Sequence, residues 1–230
     1  MKKNDLLLFD IDGTLLDFKK AERIGMKKTL QNFGLRNDNE ILDSYSKINE
    51  SYWEMLEKGT ISKKKLLLER HNSLFNKYGF NEDVIRFNAY YEDCLANESY
   101  LLDNVLNVLS HIEKSSYTLA IATNGLTITQ TNRILLSGLD TYFSYIFISE
   151  EVGYNKPQVE YFEFIMRNID KKYSKTKTLI IGDSLTSDIK GGNNFGIDTC
   201  WINPNDYKSE VKITPTYEIK DISQLKDIIG

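Results

Sequence analysis

Two aspartates, Asp10 and Asp12, follow an apolar run in LLLFDIDGTLLDF, the stretch from Leu6 to Phe18. Four apolar residues in a row read as a strand buried on both faces. In extended chain, residues two apart point the same way. If that geometry persists past the run, both carboxylates aim into one small volume. Two anions so placed repel each other unless a cation or a shared proton offsets them. Two later stretches also carry an apolar run into polar groups. YTLAIATNG ends in Thr123, Asn124 and Gly125, and KTLIIGDSLTSDIKGG carries Asp183 and Asp188.

These groups need a frame that brings them together. Strands are expected at Leu6 to Phe9, within Tyr117 to Gly125, at Tyr145 to Ser149, before Asp183, and at Asp198 to Asn203. Helical patterns lie between them at Leu126 to Ser137, Val159 to Asn168 and Thr186 to Phe195. Strand alternating with helix implies an α/β fold, a doubly wound parallel sheet with helices on both faces. In such sheets ligands bind outside the carboxyl ends of the strands. Three strands end in polar groups, so those ends should converge on one crevice.

Residues 19–97 differ from the rest. They are rich in Lys, Glu, Asn and aromatics and contain no convincing buried strand. ERIGMKKTLQNF, EILDSYSKINESYWEMLEKG and KKKLLLERHNSLFNKYG read as amphipathic helices. The expected organisation is therefore a core of residues 1–18 and 98–230, with an all-helical cap inserted at 19–97. The tail TPTYEIKDISQLKDIIG reads as a short strand and a closing helix.

Composition bounds the function. The chain has 230 residues, 41% apolar and 27% charged, with a net charge of −4. That describes a globular chain and argues against a broad nucleic-acid footprint. Two cysteines, Cys94 and Cys200, stand far apart in no metal-ligand spacing, as expected of free thiols in a reducing cytoplasm. His71 and His111 stand alone in helical stretches and read as structural or solvated. The apolar run near the N-terminus is too short for a signal peptide, and no stretch reaches membrane-spanning length. The expected state is a monomer or weak homodimer.

At this point the residues resemble a family. DIDGT (Asp10 to Thr14), TNG (Thr123 to Gly125), NKP (Asn155 to Pro157) and GDSLTSD (Gly182 to Asp188) occur in the order of the four motifs of the haloacid dehalogenase-like hydrolases. The resemblance spans nearly the whole chain. TNGLTITQTNRILLSGLDTYF, SEEVGYNKPQVEYF and GDSLTSDIKGGNNFGIDTCWINP are similar to the bacterial pyrimidine 5′-nucleotidase branch, whose helical cap follows the first motif.

The resemblance implies a phosphatase for nucleoside 5′-monophosphates that uses Mg²⁺. It makes Asp10 the nucleophile, Asp12 the general acid and base, and Lys156 the cation. Thr123, Lys156 and backbone N–H groups near Asn124 and Gly125 would hold the phosphoryl oxygens. Asp10, Asp183 and the backbone carbonyl of Asp12 would bind the metal, with Asp188 behind them or paired with Lys156. Asp12 also argues against a dehalogenase, because a leaving halide needs no proton. The alternatives are a phosphatase for another small ester, such as a sugar phosphate, and a noncatalytic module that binds phosphorylated ligands. Such a module could lose Asp10 or Asp12 freely; both are present.

Blander readings stand beside these. Asp17 is expected to cap a helix or form a turn. Asp188 fits the N-cap region of its helix as well as a metal site. Gly191 and Gly192 are expected to permit close packing. The lysine run Lys63 to Lys65 reads as a solvated helix start. Tyr45, Tyr52, Trp53, Tyr90 and Tyr91 sit at helical spacing and read as core.

Overall fold

The computed structural model describes residues 5–115, 117–208 and 212–229. Six strands form one parallel sheet: β1 (Leu6–Phe9), β2 (Thr118–Thr123), β3 (Tyr145–Ile148), β4 (Thr178–Gly182), β5 (Asp198–Ile202) and β6 (Tyr217–Ile219). Their spatial order is β3-β2-β1-β4-β5-β6. β1 lies inside the sheet, pairing Leu6 with Thr118 of β2 and with Thr178 of β4. All four of its side chains are buried, as an uninterrupted apolar run requires.

The pleat sends alternate β1 residues to opposite layers. Leu7 and Phe9 join a cluster with Val105, Val108 and Leu109 of α5 (Val105–Glu113). Leu6 and Leu8 join a cluster with Tyr161, Phe162 and Ile165 of α8 (Val159–Asn168). Helices therefore cover both faces, and the doubly wound expectation holds. α6 (Thr127–Ser137), the short α7 (Ser149–Val152), α9 (Lys190–Phe195) and the closing α10 (Leu225–Ile229) complete this part.

Between β1 and α5 stand four helices, one more than the sequence suggested for the insertion: α1 (Phe18–Asn32), α2 (Asn39–Glu57), α3 (Lys63–Tyr78) and α4 (Val84–Ala96). Each begins on a side chain that accepts a backbone N–H: Asp17, Asp38, Ser62 and Asp83 respectively. Such caps stabilise a helix by about 1 kcal/mol each. The four helices bury a separate apolar cluster that includes Met26, Leu30, Tyr45, Leu74, Phe87 and Tyr91. His71 lies inside it, stacked on the Tyr45 ring at 5.5 Å, and burial holds its pKa well below the usual value. It is structural, as expected.

The chain enters and leaves this insertion through two short segments side by side. Asp17 N–H donates to the Tyr100 carbonyl at 2.8 Å, and Leu102 N–H donates to the Leu15 carbonyl at 3.0 Å. The expected helix over Thr186 to Phe195 is in two pieces. A π-type turn at Leu185–Ile189 precedes α9. Gly191 and Gly192 do serve packing: a Cβ would meet the Phe162 ring at 2.7 Å and a Thr199 methyl at 2.5 Å respectively. Both cysteines are free and buried. Among the described residues, no helix is long and apolar enough to cross a membrane.

Candidate active site

The strand order reverses between β1 and β4, and the residues that follow these two strands face one another there. Asp10 N–H donates to the Ile181 carbonyl at 2.9 Å, which carries the ladder one residue past β1. Asp183 follows β4 directly. Asp10, Asp183 and Asp188 each offer a carboxylate oxygen within 4.8 Å of the others. Lys156 is 1% exposed and spends its ammonium on three oxygens: Asp10 Oδ1 at 2.6 Å, Asp188 Oδ1 at 2.7 Å and the Ala122 carbonyl at 2.6 Å.

Burial pushes the Asp10 pKa well above the usual carboxylate range. Lys156 opposes that rise, while Asp188, Asp183 and Asp12 add to it. Asp183 is pushed up to about 7, by burial first and then by Asp188. Burial pulls the Lys156 pKa down, but Asp10 and Asp188 outweigh it and hold the ammonium charged. Three carboxylates therefore share one lysine, and the cluster remains short of positive charge.

Local backbone sets this geometry. Gly13 has φ +84°, and a Cβ there would stand 2.3 Å from Asp183 Oδ2. Only glycine lets the first loop pass so close to the second. Thr14 adds a hydroxyl to Asp183 Oδ1 at 3.3 Å. Asp188 is not an N-cap. The capping side chain is Ser184, and the Asp188 carboxylate reaches back to the Ser184 N–H at 3.1 Å. Asp17, by contrast, caps α1 as expected.

The other expected site residues take distinct places. The strand geometry does not persist to Asp12, because β1 ends at Phe9. The Asp12 carboxylate instead rests on α6. Its Oδ1 accepts from Arg133 Nη1 at 2.6 Å, and its Oδ2 accepts from Gln130 Nε2 at 2.8 Å. It stands outside the carboxylate cluster, which leaves its backbone carbonyl as the group expected at a metal. Thr123 is buried at the end of β2, and its oxygen accepts from Gln130 Nε2 at 2.8 Å and from Gly125 N–H at 3.3 Å. The side chain of Asn124 is occupied by Lys156: it donates to the Lys156 carbonyl at 2.9 Å and accepts its N–H at 2.8 Å. Asn124 thus braces the lysine segment, and only its backbone N–H remains for a phosphate.

A crevice of about 370 Å³ opens over these groups, a size typical of small-ligand sites. One wall is Asp10, Thr123, Lys156 and Asp183; the facing wall, from α1 and α2, includes Phe18, Glu22, Asn49 and Trp53. Two contacts join the walls. Lys63 Nζ donates to the Asn124 carbonyl at 2.8 Å and also to Ser149, so this lysine is turned inward, while Lys64 and Lys65 stay exposed. Glu57 accepts from the hydroxyls of Thr186 and Ser184, and burial raises its pKa. Sequence reasoning missed Glu57, Lys63, Gln130 and Arg133. No local pattern separates them from the charged and polar surface of amphipathic helices. Trp53, expected in the core from its helical spacing, lines the crevice.

Clustered carboxylate oxygens are the donors a hard divalent cation prefers, and a deficit of positive charge among them is what such an ion corrects. The residues present fit Mg²⁺. A parallel sheet with acids at its reversal point, a buried lysine among them and a helical insertion above make a Rossmann-like core with a candidate metal centre.

The chain belongs to the haloacid dehalogenase-like hydrolases, whose family model matches residues 7–202. It is 40% identical over 223 residues to the pyrimidine 5′-nucleotidase PynA of Streptococcus pneumoniae, covering 97% of this chain and 94% of that one. It is 36% identical to the HAD-hydrolase YfnB of Bacillus subtilis over 230 residues, covering 100% of this chain and 97% of that one. A crystal structure of YfnB bound to magnesium superposes with a TM-score of 0.94 over 100% of both chains. A glyceraldehyde 3-phosphate phosphatase of Methanothermobacter thermautotrophicus is 26% identical, covering 97% of this chain and 98% of that one. The chain is accordingly an enzyme, a phosphoric monoester hydrolase.

Proposed function

We propose that this enzyme hydrolyses nucleoside 5′-monophosphates, pyrimidine ones foremost, with Mg²⁺ and through an aspartyl-phosphate on Asp10. The likeness to PynA carries this reading, because it runs through the helical insertion as well as the core. The insertion supplies the wall against which the leaving group must lie. Free, buried cysteines suit a reducing cytoplasm, where such nucleotides occur.

Asp10, Asp183 and the Asp12 carbonyl would hold Mg²⁺, with Asp188 beside them. Bound there, the ion would offset the negative charge of the phosphoryl oxygens against that of the carboxylates. Lys156 lies between Asp10 and Asp188 and adds fixed positive charge at the same place. Both bonds recorded at the Thr123 hydroxyl are accepted by its oxygen, so its hydrogen is left to donate to a phosphoryl oxygen. Asp10 attacks phosphorus, and the phosphorus–ester oxygen bond breaks as the Asp10–phosphorus bond forms. Asp12 gives a proton to the departing oxygen. It then takes one from water, whose oxygen attacks phosphorus and releases phosphate and the Asp10 carboxylate.

A second reading, a small sugar phosphate as substrate, is favoured by one observation. The glyceraldehyde 3-phosphate phosphatase also aligns along nearly the whole chain, at lower identity. Phosphate release measured across UMP, CMP, dTMP, AMP and glyceraldehyde 3-phosphate decides between them. The proposal expects the highest kcat/KM on a pyrimidine nucleotide. A higher value on the triose phosphate overturns it.

A further inference from the structure

Asp12 poses a problem of aim. Sheet geometry stops before it, so its backbone does not direct the carboxylate as β1 directs Asp10. What fixes it is a pair of side chains three residues apart on one face of α6. Arg133 is 0% exposed and Gln130 is 1% exposed. Arg133 Nη1 holds Asp12 Oδ1 at 2.6 Å and Gln130 Oε1 at 2.9 Å, while Gln130 Nε2 holds Asp12 Oδ2 at 2.8 Å. Acid, cation and amide form a closed ring. Among the described residues, Asp12 is the carboxylate that pairs with Arg133.

The same guanidinium reaches the segment by which the chain leaves the helical insertion. Arg133 Nε donates to the Glu98 carbonyl at 3.1 Å. Its neighbours fasten that segment further, through Ser99 Oγ to the Arg133 carbonyl at 2.8 Å and Asn132 Nδ2 to the Ala96 carbonyl at 2.8 Å. A buried guanidinium needs a partner for each of its N–H groups, yet Arg133 Nη2 finds none among the described protein atoms. Its placement thus serves Asp12 and the exit segment ahead of its own satisfaction.

We infer that Arg133, assisted by Gln130, is the positioning residue for proton transfer by Asp12; this rests on the acid–base role proposed above for Asp12. The charge-assisted bond to Oδ1 is the stronger of the two. Oδ1 is the anchored oxygen. Oδ2, on the neutral amide of Gln130, is the oxygen that passes the proton to the departing ester oxygen and takes the next one from water. Because Arg133 also grips the exit segment, the aim of Asp12 is tied to how the insertion sits.

The test compares UMP with p-nitrophenyl phosphate, whose phenolate leaves without a proton. Positioned acid–base catalysis contributes at least about 10²-fold. Arg133→Met is expected to lower kcat on UMP by about that factor with KM nearly unchanged. On p-nitrophenyl phosphate it should still release one p-nitrophenolate per enzyme in a burst, then turn over slowly, because water attack still needs Asp12. Arg133→Lys should recover part of the loss. The Mg²⁺-induced rise in Tm should match the parent, which a merely structural role would not predict. Parent-like kcat on UMP in Arg133→Met overturns the inference. So does an equal loss on both substrates with no burst. Should Arg133→Met fail to fold, Gln130→Leu decides: a smaller loss of the same pattern supports the inference, and parent-like kinetics overturn it. Asp12→Asn separates the layers. A parent-like rate there overturns the acid–base reading itself, whereas an impaired Asp12→Asn beside an intact Arg133→Met overturns only the positioning.

Discussion

At the scale of single residues, the site is a set of charges that would not assemble unaided. Asp10 is a buried carboxylate with Asp188, Asp183 and Asp12 near it, and Lys156 opposes their effect on it. Asp10→Asn removes one of those charges along with the nucleophile. It is expected to abolish phosphate release without lowering the metal-free Tm, since an amide in that place repels nothing. A folded variant with near-parent turnover would refute the assignment. Gly13 gives a sharper geometric test. Alanine there must adopt φ +84° and thrust its methyl to 2.3 Å from Asp183 Oδ2. The strained backbone alone costs about 1–3 kcal/mol. Gly13→Ala should therefore lower Tm and weaken Mg²⁺ binding together, measured by thermal melts across a Mg²⁺ titration. Much of this site was legible in the sequence. Asp10 and Asp183 converge because they follow neighbouring strands of a parallel sheet, and Lys156 and Asp188 reach them from the loop before α8 and the π-type turn. Arg133 and Gln130 were not legible. Their significance comes from a helix packing beside a loop far off in sequence, and no spacing rule encodes that.

Elements were legible where the apolar pattern is clean, as an unbroken buried run or as a single helical stripe. β1, β4 and α8 fall where apolar pattern placed them. α4 was missed: VIRFNAYYEDCLA mixes tyrosines and acids, and one of each, Tyr91 and Glu92, is buried in the fold. Glu92 is paired with the buried Arg70. Lys63, at the start of α3, shows what pattern cannot reveal, for it is the residue of the lysine run that crosses to the other wall. Burial lowers its pKa to about 8. The unfolded chain therefore holds this proton more tightly than the folded one between about pH 8 and pH 10.4. Stability contributed at Lys63 rises with pH across that window. Thermal melts of the parent and Lys63→Met, run from pH 7 to pH 10, should show the parent's Tm gaining on the variant above pH 8. A difference that is flat or moves the other way would count against a buried, charged Lys63.

For the whole molecule, the proposed function puts the chemistry in the core and the selectivity in the helical insertion. Mg²⁺ should stabilise the enzyme by linkage, about 2.7 kcal/mol at a hundredfold excess over Kd. The Tm rise should shrink in Asp183→Asn, and equal rises in the two proteins would remove Asp183 from the metal site. Lys156→Ala should lower kcat/KM for UMP and for a small generic ester by similar factors, because both carry the phosphoryl group. Trp53→Ala, on the facing wall, should instead change their ratio; a constant ratio there, with a shifted one in Lys156→Ala, would invert the division. The sheet order adds a matter of timing. β1 pairs with β2 and β4, both of which come more than a hundred residues later. A ribosome thus delivers Asp10 before either neighbour that will flank it, and all four helices of the insertion emerge in between. Those helices share an apolar cluster of their own and can gather locally. The pairings of β1 must wait for loops of great length to close, the slow kind of contact in folding. Asp10, the proposed nucleophile, is made early and gains its neighbours late, so a growing or shortened chain carries this carboxylate without the pocket that surrounds it in the fold.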